Sequence, residues 1–127
     1  MEVMAVGVDV CDVGRMELAL SRHPTMARRV FTPEEIAYCE KKARPAEAYA
    51  GRFAVREAVI KALGGYMERK WQDISVARHP SGEPSIRLDG NAKRRAESLG
   101  ITDFKVSFSH EKTVAVAFVI AIGRAKS

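Results

Sequence analysis

The chain has 127 residues, enough for one domain with a real core over residues 1–127. Its hydrophobic fraction of 46% is that of a globular protein and excludes a disordered one. Lys and Arg outnumber Asp and Glu by 21 to 16, which favours phosphate-bearing or acidic partners without separating nucleotide, nucleic acid and acidic protein.

The first ten residues, MEVMAVGVDV, have an acidic second residue and a short apolar run broken by Asp9. That pattern matches neither a signal peptide nor a membrane span. Val3 to Val10 is predicted to be a buried strand, with Val6, Val8 and Val10 facing one way and Gly7 and Asp9 the other. An aspartate in such a strand needs a partner: a following turn that it caps, an arginine or a metal. Cys11 and Cys39 form no metal-ligand spacing and no disulfide framework, so reduced thiols and a cytoplasmic location are expected.

Asp12 to Arg22 is predicted to be a short amphipathic helix, and Arg15, Arg22, Arg28 and Arg29 make this region basic. Thr32-Pro33-Glu34-Glu35 is a helix start, with Thr32 as N-cap, Pro33 in the first position and Glu35 closing a capping box. That helix should run to about Lys42.

A central helix follows Pro45, includes AGRFAVREAVIKALGG from Ala50, and stops at Gly64-Gly65. At about 100° per residue, Arg52 and Arg56 share one face and Glu57 and Lys61 another. The remaining residues are almost all apolar, so a buried helix is expected, with Glu57 and Lys61 poorly solvated. Ala50, Ala54 and Ala58 surround that pair in projection and leave room beside it. Glu57 and Lys61 read either as an ordinary helix ion pair or as functional groups.

Beyond Gly65, Trp71 is expected as a buried anchor. Asp73 to Arg78 and Ser85 to Leu88 alternate as two strands joined by His79-Pro80-Ser81-Gly82-Glu83-Pro84, with Gly82 supplying accessible backbone. Asn91 to Leu99 is a helix ended by Gly100. Lys105 to Ser109 is a strand, followed by Thr113 to Ile122, apolar throughout and so central. Ser107 and His110 are polar anomalies in VSFSHE, and His110 reads as structural or catalytic. Helices come early and strands late, which favours an α+β fold. No phosphate-loop or dinucleotide fingerprint is present.

Four stretches in this order are GVDVCDVGR (Gly7 to Arg15), GRFAVREAVIKALG (Gly51 to Gly64), SGEP (Ser81 to Pro84) and VSFSHE (Val106 to Glu111). Together they resemble the holo-acyl-carrier-protein synthases, the small 4′-phosphopantetheinyl transferases, over nearly the whole chain. The resemblance implies an α+β fold, an antiparallel sheet packed against a long central helix, and usually a homotrimer with interfacial active sites. It implies transfer of 4′-phosphopantetheine from coenzyme A to a serine of an acidic apo-acyl carrier protein, with release of 3′,5′-ADP and a requirement for Mg²⁺. It implies no nucleic-acid or membrane partner.

The family's metal-binding aspartate falls on Asp9 and its metal-binding glutamate on Glu57. Glu57 becomes the candidate base, directly or through water. Lys61 becomes the group that stabilises or protonates the leaving nucleotide. Arg52 and His110 are implied phosphate contacts, Gly82 and Pro84 line the nucleotide end, and Arg15 and Arg22 face the carrier protein. One position departs from the family: its usual KEA reads Arg56-Glu57-Ala58 here, which keeps the charge but not the compact ammonium. The competing class is a non-enzymatic basic module for nucleic acid or nucleotide. It accounts for the charge, gives Asp9, Glu57 and Lys61 no role, and lacks aromatics interleaved with the basic residues.

Overall fold

The computed structural model describes residues 1–65 and 70–125. Strand β1 (Glu2–Asp12) leads into α1 (Val13–Arg22), a short α2 (Met26–Val30), α3 (Pro33–Glu40) and the long α4 (Pro45–Ala62). A 3₁₀ turn at Trp71–Asp73 precedes a hairpin of β2 (Ile74–Arg78) and β3 (Pro84–Leu88), then α5 (Gly90–Ser98), β4 (Ile101–His110) and β5 (Val114–Gly123). The fold is α+β: an antiparallel sheet in the order β1-β5-β4, with β2-β3 as a separate pair. The most apolar strand, β5, is central, as its composition predicts.

Local chemistry explains the element starts. Asp12 caps α1 by accepting from the Arg15 N–H at 2.8 Å. Thr32 and Glu35 form the expected capping box at α3, and Pro33 and Pro45 occupy the first turns of α3 and α4. The five-residue α2 was not foreseen; it is too short to show a helical period. Trp71 is half-buried, its ring 5.2 Å from that of Phe53.

α4 lies on one face of the sheet, its Ala54, Ala58 and Val59 packed in one cluster with Ala117, Val119 and Ala121 of β5. The contact is close: a Cβ at Gly7 would lie 1.9 Å from the Ala58 carbonyl oxygen. The alanines therefore serve backbone approach, and do not open space around Glu57 and Lys61 as expected. Ala50, Ala54 and Ala58 are fully buried.

Two expectations are reversed. The covered face of β1 is the Gly7 and Asp9 side, while Val6, Val8 and Val10 are 56%, 52% and 60% exposed. Helix packing needs small residues at the contact, so the strand's valines point away. Beside them in register stand Ile120, Phe118 and Val116 of β5, which makes one contiguous apolar face.

The second reversal concerns the charges of α4. The buried ones are Arg52 and Arg56, 2% and 0% exposed, whereas the Lys61 side chain is 55% exposed. Arg56 is buried because it is paired. Its guanidinium donates to both oxygens of Glu35 at 2.5 and 3.0 Å and to the Trp71 carbonyl at 3.0 Å. Glu35 also accepts from the backbone N–H groups of Thr32 and Val76. Burial pushes the Glu35 carboxyl up, but Arg56 and these two N–H groups outweigh it and hold the pKa below the ordinary value. One carboxylate thus ties α3, α4 and β2 together.

Candidate active site

The candidate residues divide into two groups on either side of α4. The first is built by β1 and the C-terminal half of α4. Asp9 points to the helix side of its strand, and Lys61 reaches across to it. The ammonium lies 2.9 Å from Asp9 Oδ1 and donates to the Val8 carbonyl at 3.0 Å. Lys61 therefore meets a strand carboxylate, a partner that the helix pattern alone did not show. Glu57 stands one helical turn before Lys61 and is half-buried. The Cys11 thiol reports the local field: it is pushed up to about 11, first by burial, then by Asp9, Asp12 and Glu57, against an opposing Arg15. Asp9, Asp12 and Glu57 thus all act on one spot at the end of β1.

The donor set suits a hard cation that a substrate helps to hold. Among the described residues no three carboxylate, histidine or cysteine groups cluster. Two carboxylates with phosphate oxygens and water make a fitting environment for Mg²⁺, which keeps several waters and shares its ligands with phosphates.

The second group surrounds β4. His110 ends that strand, and its ring edge and Phe108 lie against Gly51; a Cβ there would meet them at 3.5 and 3.3 Å. Arg52 is stacked between Tyr38 and Phe108, 4.1 and 5.7 Å from the ring centroids. With 2% exposure it reaches a ligand only through its field, and its Nε is buried with no hydrogen-bond partner.

Tyr38 also receives Lys42 and Arg78, each 4.5 Å from its ring, and Arg78 donates to its hydroxyl at 2.6 Å. Burial pushes the Tyr38 phenol up, yet Lys42, Arg78 and Arg52 overcome it and lower the pKa. Arg78 then donates to the Gly82 carbonyl at 2.8 Å, and the Gly82 N–H bonds His79. The N–H and carbonyl of Gly82 are thus both bonded within the turn, while the residue itself is exposed. Its open Cα, at φ +93°, presents surface instead. Pro84 opens β3 beside it.

Asp9 of β1 and Phe108 of β4 both pair with Ala117 of β5, so they sit at one level on opposite edges of the sheet. Two strand spacings, about 10 Å, and the body of α4 separate them. Within one chain the structure joins Asp9 to Lys61, with Glu57 one turn earlier on the helix, and places Arg52 and His110 beside Phe108 and Gly51, but it does not bring the two groups together. Arg15 and Arg22 are exposed on α1. Arg22 borders a cleft of about 390 Å³ with basic His23 and Arg29 at its rim and Met26, Val30 and Trp71 within it. Tyr38, Arg78, Glu35 and Glu47 were missed from sequence, because their partners lie 14 to 63 positions away.

Comparison with known proteins fixes the class. Residues 5–119 match the family model of the 4′-phosphopantetheinyl transferase superfamily. The chain belongs to that family. It is 40% identical over 119 residues to the holo-[acyl-carrier-protein] synthase of Moorella thermoacetica, covering 93% of each chain. Its fold matches the holo-ACP-synthase of Plasmodium yoelii with a TM-score of 0.83 and 28% identity, over 97% of each chain. The Chronobacterium ammoniagenes ACPS–CoA complex matches with a TM-score of 0.82 and 28% identity, covering 94% of this chain and 97% of that one. Among the described residues no helix is long and apolar enough to cross a membrane.

Proposed function

We propose that the protein is a holo-acyl-carrier-protein synthase: it moves 4′-phosphopantetheine from coenzyme A to a serine of an apo-acyl carrier protein and releases 3′,5′-ADP. The observation that carries this reading is the Asp9–Lys61 pair at the β1–α4 contact, with Glu57 one helical turn before Lys61, in a family whose solved members include a coenzyme A complex.

In this reaction the serine oxygen attacks the phosphorus that bears the pantetheine arm, and the pyrophosphate P–O bond breaks. Glu57 accepts the serine proton, directly or through water. Lys61 turns from Asp9 to the departing phosphate and stabilises its charge. Asp9 and Glu57 would hold Mg²⁺, which would neutralise pyrophosphate charge. His110 contacts a phosphate, Arg52 adds positive field from behind Tyr38, and Gly82 and Pro84 line the nucleotide end.

The separation of the two groups supports a site completed by a second copy, with the β1 side of one chain facing the β4 side of the next. A head-to-tail contact forms a ring where its rotation closes, and a homotrimer is the assembly we assign. The apolar face of Val6, Val8, Val10, Val116 and Phe118 supplies a surface that association would cover. Incubation with coenzyme A, Mg²⁺ and an apo carrier protein tests the activity. The carrier should gain the mass of one phosphopantetheine; an unchanged mass would sink the proposal.

Arg15 and Arg22, with the basic-rimmed cleft behind α1, are assigned to the acidic carrier protein. Reversing the charge in Arg15→Glu should raise the carrier KM about tenfold, most at low salt, and leave the coenzyme A KM nearly unchanged. The opposite pattern in steady-state kinetics would move Arg15 to the nucleotide.

A further inference from the structure

Glu47 has no part in the roles assigned above, yet it touches one of their residues. It lies in the first turn of α4, four residues before Gly51 and so on the same side of the helix. Its Oε1 is 3.2 Å from Nδ1 of His110, and its Oε2 is 3.4 Å from the Arg44 guanidinium. The Glu47 side chain is 13% exposed and that of His110 38%, so the carboxylate is the enclosed member. A carboxylate in a first helical turn is also favoured by the helix dipole.

Among the described residues His110 has no other hydrogen-bond partner. Gly51 bounds the carbon edge of the ring. Among the described residues Nε2 has no contact of hydrogen-bond length. Arg44 and Lys112 flank Glu47 in a cleft of about 360 Å³, with Glu17 of α1 opposite. Glu111 follows His110 in the chain, and Arg52 lies behind Phe108.

We propose that Glu47 is the positioning residue of His110. Its carboxylate accepts the Nδ1–H, fixes the rotation and tautomer of the ring, and thereby presents Nε2 to a phosphate of coenzyme A. The hydrogen bond at one ring nitrogen decides what the other can do. With Nδ1 held, Nε2 donates to a phosphate oxygen from the charged ring and offers its lone pair from the neutral one. This inference rests on the phosphate role of His110 proposed above.

The protein has three histidines, so ¹⁵N signals of the imidazole rings can be assigned one by one. In its neutral form the His110 ring of the parent should carry its proton on Nδ1. Glu47→Ala should move it to Nε2, the site free histidine prefers. Glu47→Gln should keep it on Nδ1, because the amide oxygen accepts the same bond. Kinetically, Glu47→Ala should raise the coenzyme A KM about tenfold, the scale of a lost ring-orienting partner, with kcat and melting temperature little changed. Glu47→Gln should stay near the parent. A proton that stays on Nδ1 in Glu47→Ala, or a Gln variant that behaves as Ala does, overturns the proposal. A proton that moves while the KM holds removes the phosphate role of His110 and leaves its positioning by Glu47 intact.

Discussion

Lys61→Met is expected to lower kcat by about two to three orders of magnitude, the scale on which one preorganised electrostatic donor acts in a transition state. Methionine keeps most of the stem and removes only the charge. Coenzyme A binding should weaken less, because the lost interaction belongs mainly to the transition state. The structure adds a second readout of opposite sign. Lys61 sits 2.9 Å from Asp9, where a metal would place its own positive charge. Without that ammonium, Mg²⁺ should bind the free enzyme more tightly in calorimetry, although turnover falls. If Lys61→Met melts normally, turns over within about threefold of the parent and binds Mg²⁺ unchanged, Lys61 is only a surface pair of the weak kind.

Arg56→Leu is expected to cost about 3–5 kcal/mol of stability, because it leaves the Glu35 carboxylate buried without its counter-charge. The pH dependence gives the sign. In the parent the Glu35 pKa is depressed, so its contribution is present above the unfolded value and lost as pH falls through the folded one. In Arg56→Leu burial acts against a weaker opposition, and the pKa should rise. The contribution of the carboxyl is then present at low pH and lost as pH rises. Urea midpoints at about pH 4 and about pH 7 should therefore show the gap between parent and variant widening with pH. A gap independent of pH would mean that Arg56 stabilises by packing alone.

Arg56 also marks where sequence reading stops. Its charge, and its departure from the family's usual lysine, were plain from one helix. Its partner Glu35 lies 21 positions away and already had a complete local role in the capping box. Nothing in a one-dimensional pattern says that one carboxylate serves both. The valines of β1 failed for a different reason. Alternation separates two faces of a strand but does not say which one a helix covers, and Gly7 decided it through backbone contact. Asp9 stood out because an aspartate among valines needs a partner, although the pattern did not say that Lys61 supplies it. The capping box and the central place of β5 were legible for the same cause: the information is local. His110 stood out as a polar strand end, while Glu47, 63 positions earlier, carried no signal pointing to it.

The contact of Gly7 with Ala58 works as a gauge block. Main-chain atoms set the gap between β1 and α4, since even a methyl group at residue 7 would overlap the opposite carbonyl. Asp9 and Lys61 project from these two elements, two and three residues beyond the point of touch. Their separation is thus insensitive to how bulky the rest of the core is. Drift in core volume over many substitutions would leave the spacing of the reactive groups intact, whereas one methylene added at Asp9 would change it directly. The calibration resides in an atom that is missing.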